Sequence, residues 1–433
     1  MHTIAVPEGL QTKVFVLGKG VLAELPELLE SYFSGKKPWL IADENTWRAA
    51  GTRAEEYLRN AGFAEIPRVI FPGSPRLHPD YAISIRLAEE MPADCVPVAV
   101  GSGVINDLVK CAAGRREVPY CCVPTACSVD GFTSAGGAMS VDGFKRTVKC
   151  PAPMALCADT DVLATAPSAM FASGYADLLT KVPAGADWIL ADMLGEEPIR
   201  ADVWQLIQGN IRRWVSDREN MLNVFEGLAA TGYSMQMYQE SRPASGAEHL
   251  ASHIWEMEGL RQNGEEPSHG FKVGIGLLAT TRMMEFVIEH SFAEIRPMMR
   301  PGLDNAARRQ EVEELLSRGC YGGDTPIETA MSKHLVGEAL ANRRAQAERI
   351  WPELQRRLKA QLIPYADAYR MLLDVGCPVT PGRIGLTYGQ YVHGFLAAQL
   401  IRRRYTILDF LYELGILRKV VESIADDDGE LDY

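Results

Sequence analysis

The hydrophobic periodicity of this chain changes character once, near residue 165, and that change limits the available folds more than any single motif. Before it, short β-rich apolar runs alternate with amphipathic stretches. The runs are KVFVL (13–17), WLIAD (39–43), RVIF (68–71), VPVAV (96–100), YCCVP (120–124) and MALCAD (154–159), with segments such as VLAELPELLESYF and RAEEYLRNAGF between them. Strand-helix alternation of this kind predicts an α/β domain with a mainly parallel sheet over residues 1–165, a mixed α+β domain being the alternative. From about Pro167 to Leu417 the pattern is helical, broken by Pro and Gly, so residues 166–433 read as an all-α domain. The closing ADDDGELDY is an acidic tail, expected to be solvated or disordered.

The 433 residues are 47% hydrophobic and 23% charged, enough to build two cores. Forty-four Lys and Arg face 56 Asp and Glu, a net charge of −12, which excludes the basic footprint that nucleic-acid binding requires. The N-terminus lacks a basic segment followed by an apolar run, and no stretch is long and apolar enough to span a bilayer. A cytoplasmic protein without a membrane span is expected. The nine cysteines form no CxxC pair and sit mostly in apolar runs, so they are expected to be reduced core thiols.

Three junctions in the first half could contact a ligand. VPVAV runs directly into GSGVIND (101–107), where a glycine turn opening a helix lets N–H groups approach a phosphate. The spacing is GxGxxxD, not the usual GxGxxG, and by itself a tight turn explains it equally well. Asp43 ends its run where a carboxylate could accept from a ribose hydroxyl or, as readily, cap the following helix. The loop after YCCVP carries Thr125, Ser128, Asp130 and Ser134 at what would be the carboxyl edge of the sheet.

The helical half holds a sharper pattern. His249 and His253 are four residues apart in SGAEHLASH and share a helix face, and His269 follows in SHGFKVGIG, so three of eight histidines fall within a short span. Asp177 lies in the apolar segment SGYADLLTK, where an unpaired carboxylate is costly to bury. One carboxylate and two or three imidazoles form a workable open site for a divalent metal; as individuals they also read as ordinary polar residues. The Arg- and Glu-rich stretch 290–370 carries no catalytic pattern.

GSGVINDLVK, VPTACSVDGFTSAGGA, ALCADTDVL, SGYADLLTK, SGAEHLASH, SHGFKVGIG and RRRYTILDFLYELG, in collinear order between about residues 12 and 417, resemble the AraM-type sn-glycerol-1-phosphate dehydrogenases. These belong with iron-containing alcohol dehydrogenases, glycerol dehydrogenase and dehydroquinate synthase. Ser102 stands where the family usually has a glycine. The resemblance implies metal ligands at Asp177, His249 and His269, and substrate contacts at Asp130, Asp177 and His253. It implies an N-terminal Rossmann-like NAD(P)-binding domain and a helical metal- and substrate-binding domain. The implied cofactor contacts are Gly103, Val104, Ile105, Asn106, Asp107, Thr125, Ser128 and Ser134, to which the junctions described above add Asp43 and Gly101, and His253 and Asp130 are the implied proton-transfer residues. The active site is expected in the cleft between the two domains.

The implied reaction is NAD(P)H-linked, metal-dependent reduction of dihydroxyacetone phosphate to sn-glycerol 1-phosphate, and its reverse. Zinc is the first expectation for the metal, with nickel or iron as alternatives, and either NAD(H) or NADP(H) is expected as cofactor. Lys145, Arg146, Lys149 and Lys181 are the basic residues nearest the motifs, for which surface solvation is the simpler reading. A polyol dehydrogenase or a dehydroquinate synthase-like cyclase on the same fold is the alternative, and a non-catalytic metal- and nucleotide-binding protein a third. A homodimer or larger homo-oligomer is expected.

Overall fold

Six of the apolar runs form a single parallel sheet in a computed structural model that describes residues 3–429 apart from 142, 143, 320 and 322–324. They are β1 (Val14–Gly18), β2 (Lys37–Asp43), β3 (Arg68–Phe71), β4 (Cys95–Gly101), β5 (Cys121–Pro124) and β8 (Ala155–Asp159), in the spatial order β1-β8-β5-β4-β2-β3. Strands flanked on both sides by helices bury both faces, which is why the runs other than the edge strand β3 are continuously apolar. All seven residues of β4 are buried. The sequence pattern did not predict the antiparallel hairpin β6 (Gly137–Val141) and β7 (Phe144–Val148).

Register fixes what the sheet presents at its carboxyl edge. Ile41 pairs with Ala99 and Gly101 with Pro124. Asp43, the 101–107 turn and the loop from Thr125 therefore leave three adjacent strands at one level.

The contacts divide the chain into two units, Met1–Leu178 with Arg212–Glu240 and Leu179–Ile211 with Ser241–Tyr433. This departs from a single cut at residue 165. The helix Met221–Tyr238 packs with the sheet unit because Phe225 inserts between Phe15 and Phe132, at ring distances of 5.8 and 5.4 Å. Thr133 Oγ1 donates to Ala229 O at 2.7 Å, and Gln236 Nε2 donates to Thr12 Oγ1 at 3.1 Å. In the second unit the core gathers Leu250, Ile254 and Trp255 of one helix with Ile275, Met283 and Met284 of another, closed by Phe395 and Phe410.

The acidic tail starts inside a helix, Leu417–Gly429. Asp426 accepts from Tyr388 Oη at 3.0 Å and Asp427 pairs with Arg282, so these two acids are held by partners. Glu430–Tyr433 lie outside the described residues. Eight of the nine cysteines are described, and all eight are buried free thiols. Among the described residues no helix is long and apolar enough to cross a membrane.

Candidate active site and metal centre

The turn after β4 shows why its sequence begins with glycine. A Cβ on Gly101 would lie 2.5 Å from Ile105 Cβ, in the first turn of the helix Gly103–Arg115. Ser102 precedes that helix in an extended conformation and its side chain makes no cap. The N–H groups of Gly103, Val104 and Ile105 precede the first intrahelical bond, from Asn106 N to Ser102 O at 3.0 Å, and they make a favourable end for an anion.

Asn106 and Asp107 brace the neighbouring loop. Asn106 is fully buried and accepts from Tyr120 Oη at 3.1 Å. Asp107 Oδ2 accepts from Ala138 N at 3.1 Å. Lys110, also fully buried, donates to Gly131 O at 2.7 Å and to Gly136 O at 3.0 Å, and lies 3.5 Å from Asp107 Oδ1. Ser134 Oγ lies 3.3 Å from Lys110 Nζ within the same buried loop, and Ser128 and Thr125 are buried beside it. Thr125 N donates to Gly101 O at 3.1 Å, tying the loop to the glycine turn. Asp43 Oδ1 accepts from both Asn45 N and Thr46 N at 2.8 Å, so the helix-cap reading of this residue is realised.

Asp177 has no solvent exposure and lies on the helix Ser168–Leu179, two residues before Leu179, where the second unit begins. Its Oδ2 accepts from Asp130 N at 2.9 Å. His249 lies on the helix Ala247–Met257, and His269 is the first residue of the helix His269–Glu289, whose cap Ser268 accepts from Phe271 N at 3.3 Å. The two helices touch backbone to backbone: a Cβ on Gly276 would lie 2.6 Å from Glu248 O. That approach sets the two imidazole rings 5.3 Å apart. One ligand atom from each of Asp177, His249 and His269 lies within 4.8 Å of the others. The three residues expected as a ligand set are thus brought together, and His253 is not part of the group.

Two glutamates not singled out from the sequence orient these histidines. Glu248 Oε1 lies 2.8 Å from His249 Nδ1 and is fully buried. Burial pushes the Glu248 carboxyl up, but the His249 hydrogen bond and charge and the Gly246 N–H outweigh it, and the net shift is downward. An ionised carboxylate only accepts, so Nδ1 carries the proton and Nε2 is left for a metal. Glu256 Oε2 lies 3.2 Å from His253 Nδ1, and its Oε1 lies 3.6 Å from His269 Nδ1 and 2.8 Å from Lys272 Nζ. Glu256 is only 2% exposed and bridges three cationic or protonatable groups. Its spacing three residues after His253 was the available signal.

The four basic residues near the motifs separate. Lys181 is fully buried beside Thr180 Oγ1 at 3.3 Å, so surface solvation does not describe it. Arg146 and Lys149 are exposed, and the Lys145 side chain lies outside the described residues.

A model of the iron-containing alcohol dehydrogenase family matches residues 16–167. The glycerol-1-phosphate dehydrogenase (NAD(P)+) of Bacillus velezensis is 34% identical over 316 residues, 69% of this chain and 78% of that one. The chain belongs to the glycerol-1-phosphate dehydrogenase family. The Bacillus licheniformis member is 33% identical over 344 residues, 76% of this chain and 84% of that one. Among solved structures, a probable glycerol dehydrogenase from Sinorhizobium meliloti aligns with a TM-score of 0.58 at 14% identity, covering 97% of this chain and 99% of that one. Maleylacetate reductase from a Rhizobium strain aligns at 0.57 and 12%, covering 100% and 99%. At such identities the likeness is one of fold, an α/β unit followed by a helical one. Family membership accounts for the order of the segments, while the geometry above accounts for why each residue type stands where it does.

Proposed function

We propose that this chain is a metal-dependent NAD(P)H-linked dehydrogenase that interconverts dihydroxyacetone phosphate and sn-glycerol 1-phosphate. The grouping of Asp177, His249 and His269 carries the reading: a fully buried carboxylate beside two imidazoles, one with Nδ1 anchored on a carboxylate, has the donor chemistry of a divalent-metal site. The relatives at 33–34% identity are glycerol-1-phosphate dehydrogenases (NAD(P)+), which supports glycerol 1-phosphate as substrate and NAD(P) as cofactor. Zinc fits an Asp-His-His set, as do nickel and iron, and metal analysis of the purified chain decides among them.

When bound, the nicotinamide supplies the hydride and the cation the Lewis acidity that stabilises charge growing on the carbonyl oxygen. The chain's own residues do the rest. Gly101 and Gly103–Ile105 offer the pyrophosphate a helix N-terminus, with Asn106 and Asp107 holding the loop that bears Thr125, Ser128 and Ser134 beside it, and Asp43 toward the ribose. The Asp130 N–H fixes Asp177, which keeps one carboxylate oxygen oriented. His253, its Nδ1 held by Glu256, keeps Nε2 for giving a proton to the product alkoxide. The Asp130 carboxyl is the second candidate for that proton.

The test is a screen of dihydroxyacetone phosphate, dihydroxyacetone and glycerol with each nicotinamide, followed through the absorbance of the reduced cofactor and repeated after chelation and metal exchange. Oxidation of NADH or NADPH by dihydroxyacetone phosphate, abolished by chelator and restored by metal, is the expected result. Faster turnover of glycerol would indicate a polyol enzyme, and turnover with no net change in the cofactor a cyclase. Full activity after complete metal removal would sink the proposal.

A further inference from the structure

The Arg- and Glu-rich stretch that the site does not use forms one side of a cavity of about 510 Å³ in the second unit. Neither the glycine turn nor any of Asp177, His249, His253 and His269 lines it. Its volume is that of a small-molecule site.

Six cationic side chains line it, Arg300, Arg308, Lys333, Arg343, Arg403 and Arg418, against the four acids Glu196, Glu311, Asp409 and Glu413, a formal excess of at least two positive charges on a chain of net charge −12. Three of the cations are already matched by acids of the wall. Lys333 Nζ donates to Asp409 Oδ1 at 2.6 Å, Arg308 Nη1 to Glu311 Oε2 at 2.6 Å, and Arg343 Nη1 to Glu413 Oε2 at 3.1 Å. Arg418 lies 3.5 Å from Glu422 at the surface. Arg300 and Arg403 are exposed and have no side-chain partner among the described residues. Arg308 is only 3% exposed, stacks 3.9 Å above the Tyr412 ring, and its Nε is a buried donor with no acceptor. A buried donor without an acceptor costs stability unless something supplies one. Leu303, Leu315, Leu335, Leu340 and Leu396 give the cavity an apolar wall.

We propose that this cavity is a second binding site, for a phosphate monoester that carries an apolar group. A dianionic head matches the excess of two charges and the guanidinium groups of Arg300 and Arg403, and the apolar group covers the leucine wall. A free phosphate ion satisfies only the first of these and a neutral alcohol only the second.

Calorimetric titration of the full chain with n-hexyl phosphate, inorganic phosphate, hexanoate and 1-hexanol tests the site. Hexyl phosphate is expected to bind saturably at one site and at least tenfold more tightly than each of the other three. Binding is expected to persist in saturating dihydroxyacetone phosphate and to weaken at least tenfold in an Arg300→Glu/Arg403→Glu variant. Both positions are exposed, and an unchanged far-ultraviolet spectrum and melting temperature verify that the variant folds. Absence of saturable binding, equal affinity for inorganic phosphate, affinity unaltered in the variant, or displacement by dihydroxyacetone phosphate would each overturn the proposal. The last outcome would put the phosphate in the active site.

Discussion

At the residue scale, two carboxylates that are not themselves among the expected ligands hold the candidate site's histidines in place. Glu248 and Glu256 fix the Nδ1 atoms of His249 and His253, and Glu256 also approaches His269. Outer partners of this kind typically change metal affinity by about 10–100-fold when removed. Glu256→Gln keeps the shape and removes the charge that Lys272, His253 and His269 share. The expected result is metal affinity lowered by about 10-fold or more in competition with a chromophoric chelator, together with an altered pH profile of kcat through the loss of a carboxylate beside His253. A variant with unchanged affinity and profile would make Glu256 a packing residue only. His249→Ala removes a proposed ligand outright. Its metal content after purification should fall toward zero while fluorescence titration still shows NADH binding, since the helix Gly103–Arg115 and its turn belong to the other unit. Metal content equal to that of the parent chain would refute the assignment.

At the element scale, closeness between helices is what turns scattered histidines into a group. Gly276 lets the helix His269–Glu289 press on the backbone of Glu248, next to His249. Gly276→Ala forces a Cβ to within 2.6 Å of a carbonyl oxygen that cannot leave its helix. Overpacking of this type costs about 1–3 kcal/mol. The expected outcome is a lower urea midpoint and, because the helices must separate, weaker metal binding; an unchanged midpoint would show that the two helices slide freely. The same scale explains what the sequence disclosed. Five of the six sheet strands were legible because a strand buried on both faces reads as an uninterrupted apolar run; the edge strand β3, in which only Phe71 is buried, was legible from the β-branched pair in RVIF. The hairpin Gly137–Val141 and Phe144–Val148 was not, because half-exposed strands built from Gly, Ser, Lys, Arg and Thr carry no such run. The helix Met221–Tyr238 lies in the stretch read as helical and was assigned with it to the second domain, but its attachment to the sheet unit rests on Phe225 meeting Phe15 and Phe132, contacts between residues far apart in sequence. Asp177, His249, His253 and His269 were legible as candidates because ligand types are rare in apolar helices, whereas the choice of Asp177, His249 and His269 as the ligand set came from the family resemblance. Glu248 and Glu256 were hidden among many surface glutamates of the same appearance.

At the scale of the whole molecule, the net charge of −12 opposes anionic substrates, so attraction must come from local features such as helix N-termini and unpaired guanidinium groups. The distribution of buried acids also sets how stability follows pH. Asp187 is pushed from 3.8 up to about 7 by burial and by the Glu248 charge, against the pull of Arg242 and two backbone N–H groups. Glu413 is pushed from 4.5 up to about 7, first by burial, against Arg343 and Tyr405. In the unfolded chain both lose their protons near pH 4, whereas the folded chain keeps them until near pH 7. Between those values the folded state binds more protons than the unfolded one, so the stability these two groups contribute is complete below pH 4 and is lost as the pH rises toward 7. The slope is at most about 1.4 kcal/mol per pH unit for each group. Carboxyls held low, such as Glu248, are ionised in the folded state over this range and add only the last of the unfolded chain's titration near pH 5, with the opposite sign. His334, lowered by burial and by Arg308, works in the opposite direction around pH 6, so the two acids must be isolated by substitution. Urea midpoints of the parent chain and of Glu413→Gln, measured from pH 5 to pH 7.5, do this. The substitution should lower the midpoint at pH 5, where the parent's neutral carboxyl is tolerated, yet give a shallower decline toward pH 7.5 because one of the two protons is no longer there to lose. Parallel curves for the two chains would mean that Glu413 is already ionised throughout, and that Arg343 rather than burial governs its charge.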